Sequence, residues 1–188
     1  MADNSVSLPG NKNVLFTNRQ LVTLMWPLLL EQMLAIAVGL ADSLMVATVG
    51  DAAISAVSLV DSISNLMIYI FSAMATGGAA VAGQYIGLKQ KEDACNAGQQ
   101  LIALLAVVSV SFAALLYLFR PQILTTMFGH IEPDVMDATN TYYLYVMASI
   151  PGIALYNGGA ALFRTMGRSD VSLKVSLLMN GINVAGNA

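Results

Sequence analysis

The stretch from Leu21 to Val49 is almost unbroken apolar sequence, yet it carries Pro27, Glu31, Gln32 and Asp42 inside it. About twenty apolar residues cross the hydrocarbon of a bilayer at roughly 1.5 Å per residue, so this run can span one with tilt to spare. An ionisable group at the centre of such a helix costs about 2.5–3.5 kcal/mol on insertion scales, so two in one helix need a reason. Glu31 and Asp42 are eleven positions apart. At about 100° per residue that is three turns plus roughly 20°, which puts both carboxylates on one stripe, about 16 Å apart along the axis. Ala35 and Gly39 lie on the stripe between them, and small residues at this spacing let another helix backbone come close. The expectation is a helix with one face turned to a bundle or a wet cavity. Pro27, one turn before Glu31, either starts this helix or kinks it; a kink is the reading adopted.

The remainder of the chain belongs to the same solvent. Of its 188 residues 57% are hydrophobic and 10% charged, whereas a soluble domain carries about 25% charged residues. The expected fold class is all-α, a polytopic integral membrane helix bundle whose first partner is the lipid bilayer. The single cysteine, Cys95, excludes an intrachain disulfide and a cysteine zinc site. Residues 1–20 are polar with few positive charges, and the apolar run after them exceeds the core of a cleavable signal peptide. They are read as a cytoplasmic lead-in at the membrane surface.

Five membrane helices are expected, near 21–49, 52–85, 100–118, 141–163 and 171–188. Gly50-Asp51 makes the first turn. The second segment is longer than a span needs, so it should protrude or bend near Gly77-Gly78. Its polar residues Ser58, Asp61, Ser62, Asn65, Tyr69, Ser72 and Thr76 recur at spacings of three and four, one helical face that must meet protein or water. Gly87 to Asp93 reads as a charged loop. The third segment is nearly all apolar and should face lipid. Arg120-Pro121 ends it, and the 121–137 stretch has the composition of a short surface helix. The fourth segment opens with interfacial tyrosines, Tyr142, Tyr143 and Tyr145. Pro151-Gly152 should bend it, and Asn157 lies in its second half. Arg164 to Asp170 is a basic loop, and the last segment holds Asn180, Asn183 and Asn187.

With a cytoplasmic N-terminus, one side collects Lys12, Arg19, Lys89, Lys91, Arg164, Arg168 and Lys174, and only Arg120 of the eight basic residues falls outside. That asymmetry is a positive-inside signal and supports the helix count. Asp51 and Glu132 to Asp137 are then external.

Asp42 is the leading ionisable candidate, because insertion cost argues against a merely structural carboxylate there. Glu31 has an alternative: solvation near the interface, or support of the Pro27 kink. Asp61 could simply face an aqueous vestibule. Asparagines in the last segment act most often as glue between helices. The numerous methionines read as core or lipid-facing, and His130 and Cys95 receive no role. A membrane-embedded enzyme is not expected, since no Ser/His pair, HExxH motif, nucleophile elbow or metal-ligand cluster is present. Nothing points to a nucleic-acid partner or to a cofactor.

Five stretches together resemble one family: WPLLLEQ (26–32), GLADSLMVATVGDAAISAVSL (39–59), GGAAVAGQYIG (77–87), LFRTMGRSD (162–170) and NVAGNA (183–188). In order and spacing they are similar to the start of a multidrug and toxic compound extrusion (MATE) transporter. The resemblance implies twelve helices in two six-helix lobes, of which this chain is an N-terminal fragment, and a transporter monomeric when complete. It implies export of organic, often cationic compounds against inward flow of protons or sodium ions, in the cell membrane. By resemblance Asp42 matches the family's first-helix aspartate, and Asn157 and Asn183 match polar residues of its N-lobe cavity. Asn187 stands where many members have an aspartate, which leaves Asp42 without an acidic partner and puts the coupling ion in doubt. The resulting candidates for cation or substrate binding are Asp42, Glu31, Asp61, Asn65, Asn157, Asn183 and Asn187, with a sodium ion at Asp42, Asn183 and Asn187. The alternative is a lipid-linked oligosaccharide flippase of the same superfamily. Such proteins tend to carry a basic cavity, whereas the intramembrane charges here are acidic.

Overall fold

A computed structural model describes residues 17–48, 50–129 and 132–187, in six helices and no strand among them. The helices are α1 (Asn18–Ala47), α2 (Asp51–Gly87), α3 (Lys91–Leu118), α4 (Arg120–Phe128), α5 (Pro133–Thr165) and α6 (Ser169–Asn187). α1, α2 from Ile54, α3 and α5 are long and apolar enough to cross a membrane; α6 is not among them. The expected helix at 171–188 therefore exists over 19 described residues, but they are less apolar than the four spans.

α1 begins before Leu21, because Thr17 and Gln20 form a reciprocal capping box there that satisfies two otherwise orphaned backbone donors. Pro27 lies inside the helix, so it does not start it. It lacks an N–H, which leaves the Thr23 carbonyl without its helical donor. The first turn is one residue earlier than expected: Gly50 holds it at φ 131°, and Asp51 already belongs to α2. α2 continues without a break through Gly77-Gly78.

Two boundaries move outward from the sequence reading. α3 starts at Lys91 rather than near 100, with Glu92 and Asp93 in its first turn, where carboxylates complement the positive end of the helix dipole. The expected charged loop shrinks to Leu88–Gln90. α5 starts at Pro133 rather than near 141, with proline at the permitted first position. The 121–137 stretch is divided between α4 and the start of α5; His130 lies outside the described residues.

The core sits between α2, α3 and α5. Val60 and Phe71 of α2, Leu105 of α3, and Tyr143 and Met147 of α5 are almost wholly buried in it. Lipid tails are as apolar as leucine, so such a core is held by close packing more than by exclusion of water. Glycines permit the approach: a Cβ at Gly158 would lie 2.5 Å from Leu105 Cδ1, and one at Gly78 would collide with Leu101. α3 thus packs one stripe, Leu101, Leu105 and Ser109, into the core, and only its other sides, with Leu104, Val107 and Val110, are exposed. The expectation that the whole segment faces lipid fails because an all-apolar helix carries no polar stripe to mark its inner face.

The tyrosines at the start of α5 have different surroundings. Tyr143 is fully buried and donates to the Leu116 carbonyl oxygen at 3.0 Å, while Tyr145 is 75% exposed. Eight helical residues precede Thr141, and Tyr143 packs sideways against the last turn of α3.

α1 differs from the rest in having no buried residue. It rests on α6 and touches α2. Gly39 has nothing within 4 Å of the position its Cβ would take, so among the described residues it serves no close helix approach. The helices alternate in direction, so one end of the bundle gathers Arg19, Lys89, Lys91, Arg164, Arg168 and Lys174, with Arg120 at the other. There Asp170 accepts from Lys174 Nζ at 3.2 Å, and this bond, with Lys174 and Arg168 as neighbouring charges, holds its carboxyl below the ordinary range.

Candidate functional site

The polar face of α2 turns away from the core. Asn65 and Tyr69 are exposed and Ser72 half-buried, while Ile63, Met67 and Phe71 on the opposite side are buried. With α1, α5 and α6 this face encloses a cavity of about 680 Å³. Its walls include Glu31 and Gln32 from α1, Asn65, Tyr69 and Ser72 from α2, Tyr156, Asn157 and Arg164 from α5, and Ser176 and Asn180 from α6.

Glu31 is the centre of its polar chemistry. Tyr156 Oη donates to Glu31 Oε1 at 2.9 Å, and Ser172 Oγ shares its proton between Glu31 Oε2 at 3.1 Å and the Ser169 carbonyl oxygen at 3.0 Å. One carboxylate thereby ties α1 to α5 and α6. Hydrogen bonds to a charged group contribute about 1.5–3 kcal/mol, roughly twice the neutral kind. Beside it, Asn157 Nδ2 is buried without a hydrogen-bond partner. A buried donor left unpaired costs about 1–3 kcal/mol, and an acceptor entering the cavity would recover it. Asn180 does not link helices: its amide donates to Ser176 O and Oγ one turn back on α6. Arg164, assigned to a loop by the sequence, belongs to the last turn of α5 and lines the cavity. The charged groups here are therefore not all acidic.

A second carboxylate site lies toward the other end of the bundle. Tyr142 Oη donates to Asp61 Oδ1 at 3.3 Å, and Asp42 lies within electrostatic reach of both. Glu31 and Asp42 do share the inward side of α1, as their spacing requires, but they serve different sites.

Of the sequence candidates, the cavity unites Glu31, Asn65 and Asn157. Asp61 joins Tyr142 and Asp42 instead. Asn183 and Asn187 lie on α6, and their side chains are outside those described. The residues of this site that the sequence reading did not name are Tyr156 and Ser172, which bond Glu31, and Ser176 in the cavity wall. Ser169, Ser172, Ser176 and Asn180 recur at spacings of three and four, the same signal that exposed the α2 face, and it could have found the α6 wall. Tyr156 carried no such signal.

The MatE family model matches residues 27–188. An uncharacterized transporter of Bacillus subtilis (strain 168), YisQ, is 30% identical over 168 residues, covering 89% of this chain and 36% of its own length. The fold is similar to a multidrug resistance MATE family transporter of the MOP superfamily in an outward-facing conformation, with a TM-score of 0.84 at 19% identity over 90% of this chain and 37% of that one. It is equally similar, at TM-score 0.84 and the same coverage, to a MOP superfamily transporter from Pyrococcus furiosus Vc1 (DSM3638), described as having a binding pocket of reverse polarity that suggests a different function. A MATE protein in a bent conformation matches with a TM-score of 0.78 at 20% identity, over 89% and 37% of the two chains. At these identities the likeness is one of fold. The chain spans just over a third of the length of the relatives it matches.

Proposed function

We infer the function of this chain from its family: it belongs to the MatE transporters, is a multi-pass membrane protein, and in the whole protein acts as a secondary antiporter that exports organic cations against protons or sodium ions. The observation carrying this reading is Glu31, a carboxylate held by two hydroxyls in the wall of a cavity of about 680 Å³. A cavity of this size is in the usual range for small-molecule sites, and a fixed carboxylate selects positive charge. Asp42 and Asp61 form a separate pair-wise site toward the opposite end, suited to a proton or sodium ion, with Asn183 and Asn187 as further ligands by resemblance. A proton or sodium ion and a cationic cargo each neutralise a carboxylate, and each stabilises the conformation in which its own site is filled. The basic end of the bundle is cytoplasmic, the N-terminus included, in the cell membrane, and the complete protein works as a monomer. The oligosaccharide flippase is the weaker reading, since three of the four charged groups at the two sites are acidic.

The test compares Asp42→Asn, Glu31→Gln and Asp61→Asn in the whole protein in one efflux assay, with membrane protein levels measured alongside. Asp42→Asn is expected to be the most damaging: it abolishes ion-coupled efflux while expression stays near normal, because losing a charge eases insertion of a membrane helix. Glu31→Gln weakens apparent affinity for the cationic cargo. Full efflux by Asp42→Asn, with unchanged dependence on pH and sodium, would overturn the coupling role.

A further inference from the structure

A second cavity, about 900 Å³, lies on the outside of the core at the basic end, between the C-terminal ends of α2 and α5 and the N-terminal half of α3. Its walls are mostly apolar, with Ile86, Ile102, Ala106, Leu162 and Met166 among them, and Lys89 and Lys91 line its end. On α3 the lining runs from Ala94 to Ala106, with Gln99 its one polar side chain, about 18 Å of helix at 1.5 Å per residue. One leaflet of a bilayer has about 15 Å of hydrocarbon. The groove therefore matches the depth of one leaflet, with two lysines where the headgroups lie.

The lysines are not placed there by default. α2 ends in a Schellman turn: Gln90 N donates to Tyr85 O and Lys89 N to Ile86 O, and Lys89 adopts φ 61°. α5 ends in the same turn at the same end of the bundle, with Gly167 at φ 74° in the equivalent place. The left-handed position favours glycine, and a residue with a Cβ costs roughly 1–2 kcal/mol there. At α5 the chain uses glycine; at α2 it accepts the strain and keeps a charge. Neither Lys89 nor Lys91 is in an ion pair among the described residues. Gln90 supplies no side-chain cap to α3, so the positive end of that helix, beside Lys91, keeps its backbone donors for anions. Glu92 and Asp93 occupy that first turn but do not line the groove.

We propose that this groove is a binding site for one anionic phospholipid, its acyl chain along α3 and its phosphate on Lys89, Lys91 and the start of α3. Basic residues between membrane helices at the headgroup level are a recognised way to hold such lipids. The proposal rests on the membrane-spanning reading and is independent of the transported cargo.

Cys95, the single cysteine of the chain, lines the groove and can carry a fluorescent label. The labelled whole protein, with any cysteines beyond this chain replaced, is reconstituted in vesicles containing equal fractions of brominated phosphatidylglycerol or brominated phosphatidylcholine. Quenching by the anionic lipid is expected to be at least twofold stronger. In Lys89→Gly/Lys91→Gln the preference disappears, while thermal stability in zwitterionic lipid is retained or raised, because Lys89→Gly relieves the left-handed residue. Unlabelled protein, washed in detergent, is expected to retain phosphatidylglycerol over phosphatidylcholine in the same lysine-dependent way. Equal quenching by both lipids, no quenching by either, or a preference that survives the double substitution would each overturn the assignment.

Discussion

α5 borders two kinds of neighbourhood. Against α2 and α3 it meets Val60, Phe71 and Leu105 in a core where side chains interlock and glycines bring backbones close. Toward α1 and α6 it meets a cavity and is bound by the hydroxyl bonds of Glu31. The first contact is many weak dispersion terms, each requiring a fixed shape. The second is a few strong polar terms that a proton or a cation can cancel. Packed apolar surfaces make a scaffold; polar ties across a cavity make a joint that chemistry can open.

Leu105→Ala should cost most, about 2–5 kcal/mol, because Leu105 is fully buried and its loss opens a cavity beside Gly158. Reversible unfolding in mixed micelles would measure it. A cost under about 1 kcal/mol would mean that the core relaxes like the rest of the molecule, and the comparison would break.

Tyr156→Phe is expected to have a middling effect on stability, about 1–3 kcal/mol, by removing one charge-assisted bond to Glu31. It should fall on one region: backbone hydrogen exchange should rise in α1 and stay unchanged in α2 and α3. A uniform rise would show that the two neighbourhoods unfold as one unit.

Gly39→Ala should be the mildest and of opposite sign. Nothing lies within 4 Å of the added methyl, and alanine in a helix interior is favoured over glycine by about 0.5–1 kcal/mol. A small gain in melting temperature is expected; a loss would show that a partner covers this face of α1 in the whole protein.

The helix bundle was legible in the sequence because apolar runs of spanning length and a polar stripe at spacings of three and four have few other readings. The inward placing of Glu31 followed from that spacing, and the polar face of α2, expected to meet protein or water, lines the cavity with Asn65, Tyr69 and Ser72. What stayed hidden has physical reasons. Glu92 and Asp93 read as loop because charge is rare in membrane helices, yet at the first turn of α3 it is favoured. The burial of Tyr143 stayed hidden because it depends on which neighbour α5 turns it toward. Gly39 showed that spacing tells which residues permit close approach, not whether a partner is there. Serines 172 and 176 were missed because a lone hydroxyl can return its bond to its own helix, so only their common face betrays them.

Pro27 divides α1 into a short arm, 18–26, at the basic end and a long arm, 28–47, that carries Glu31 and Asp42. The missing hydrogen bond lies one turn below the Glu31 tie, so the weakest point of the rod is next to its fastening. A load on the short arm is absorbed at this pivot before it reaches the carboxylates. The same gap works in the other direction, so the long arm can shift at Glu31 without carrying residues 18–26 with it.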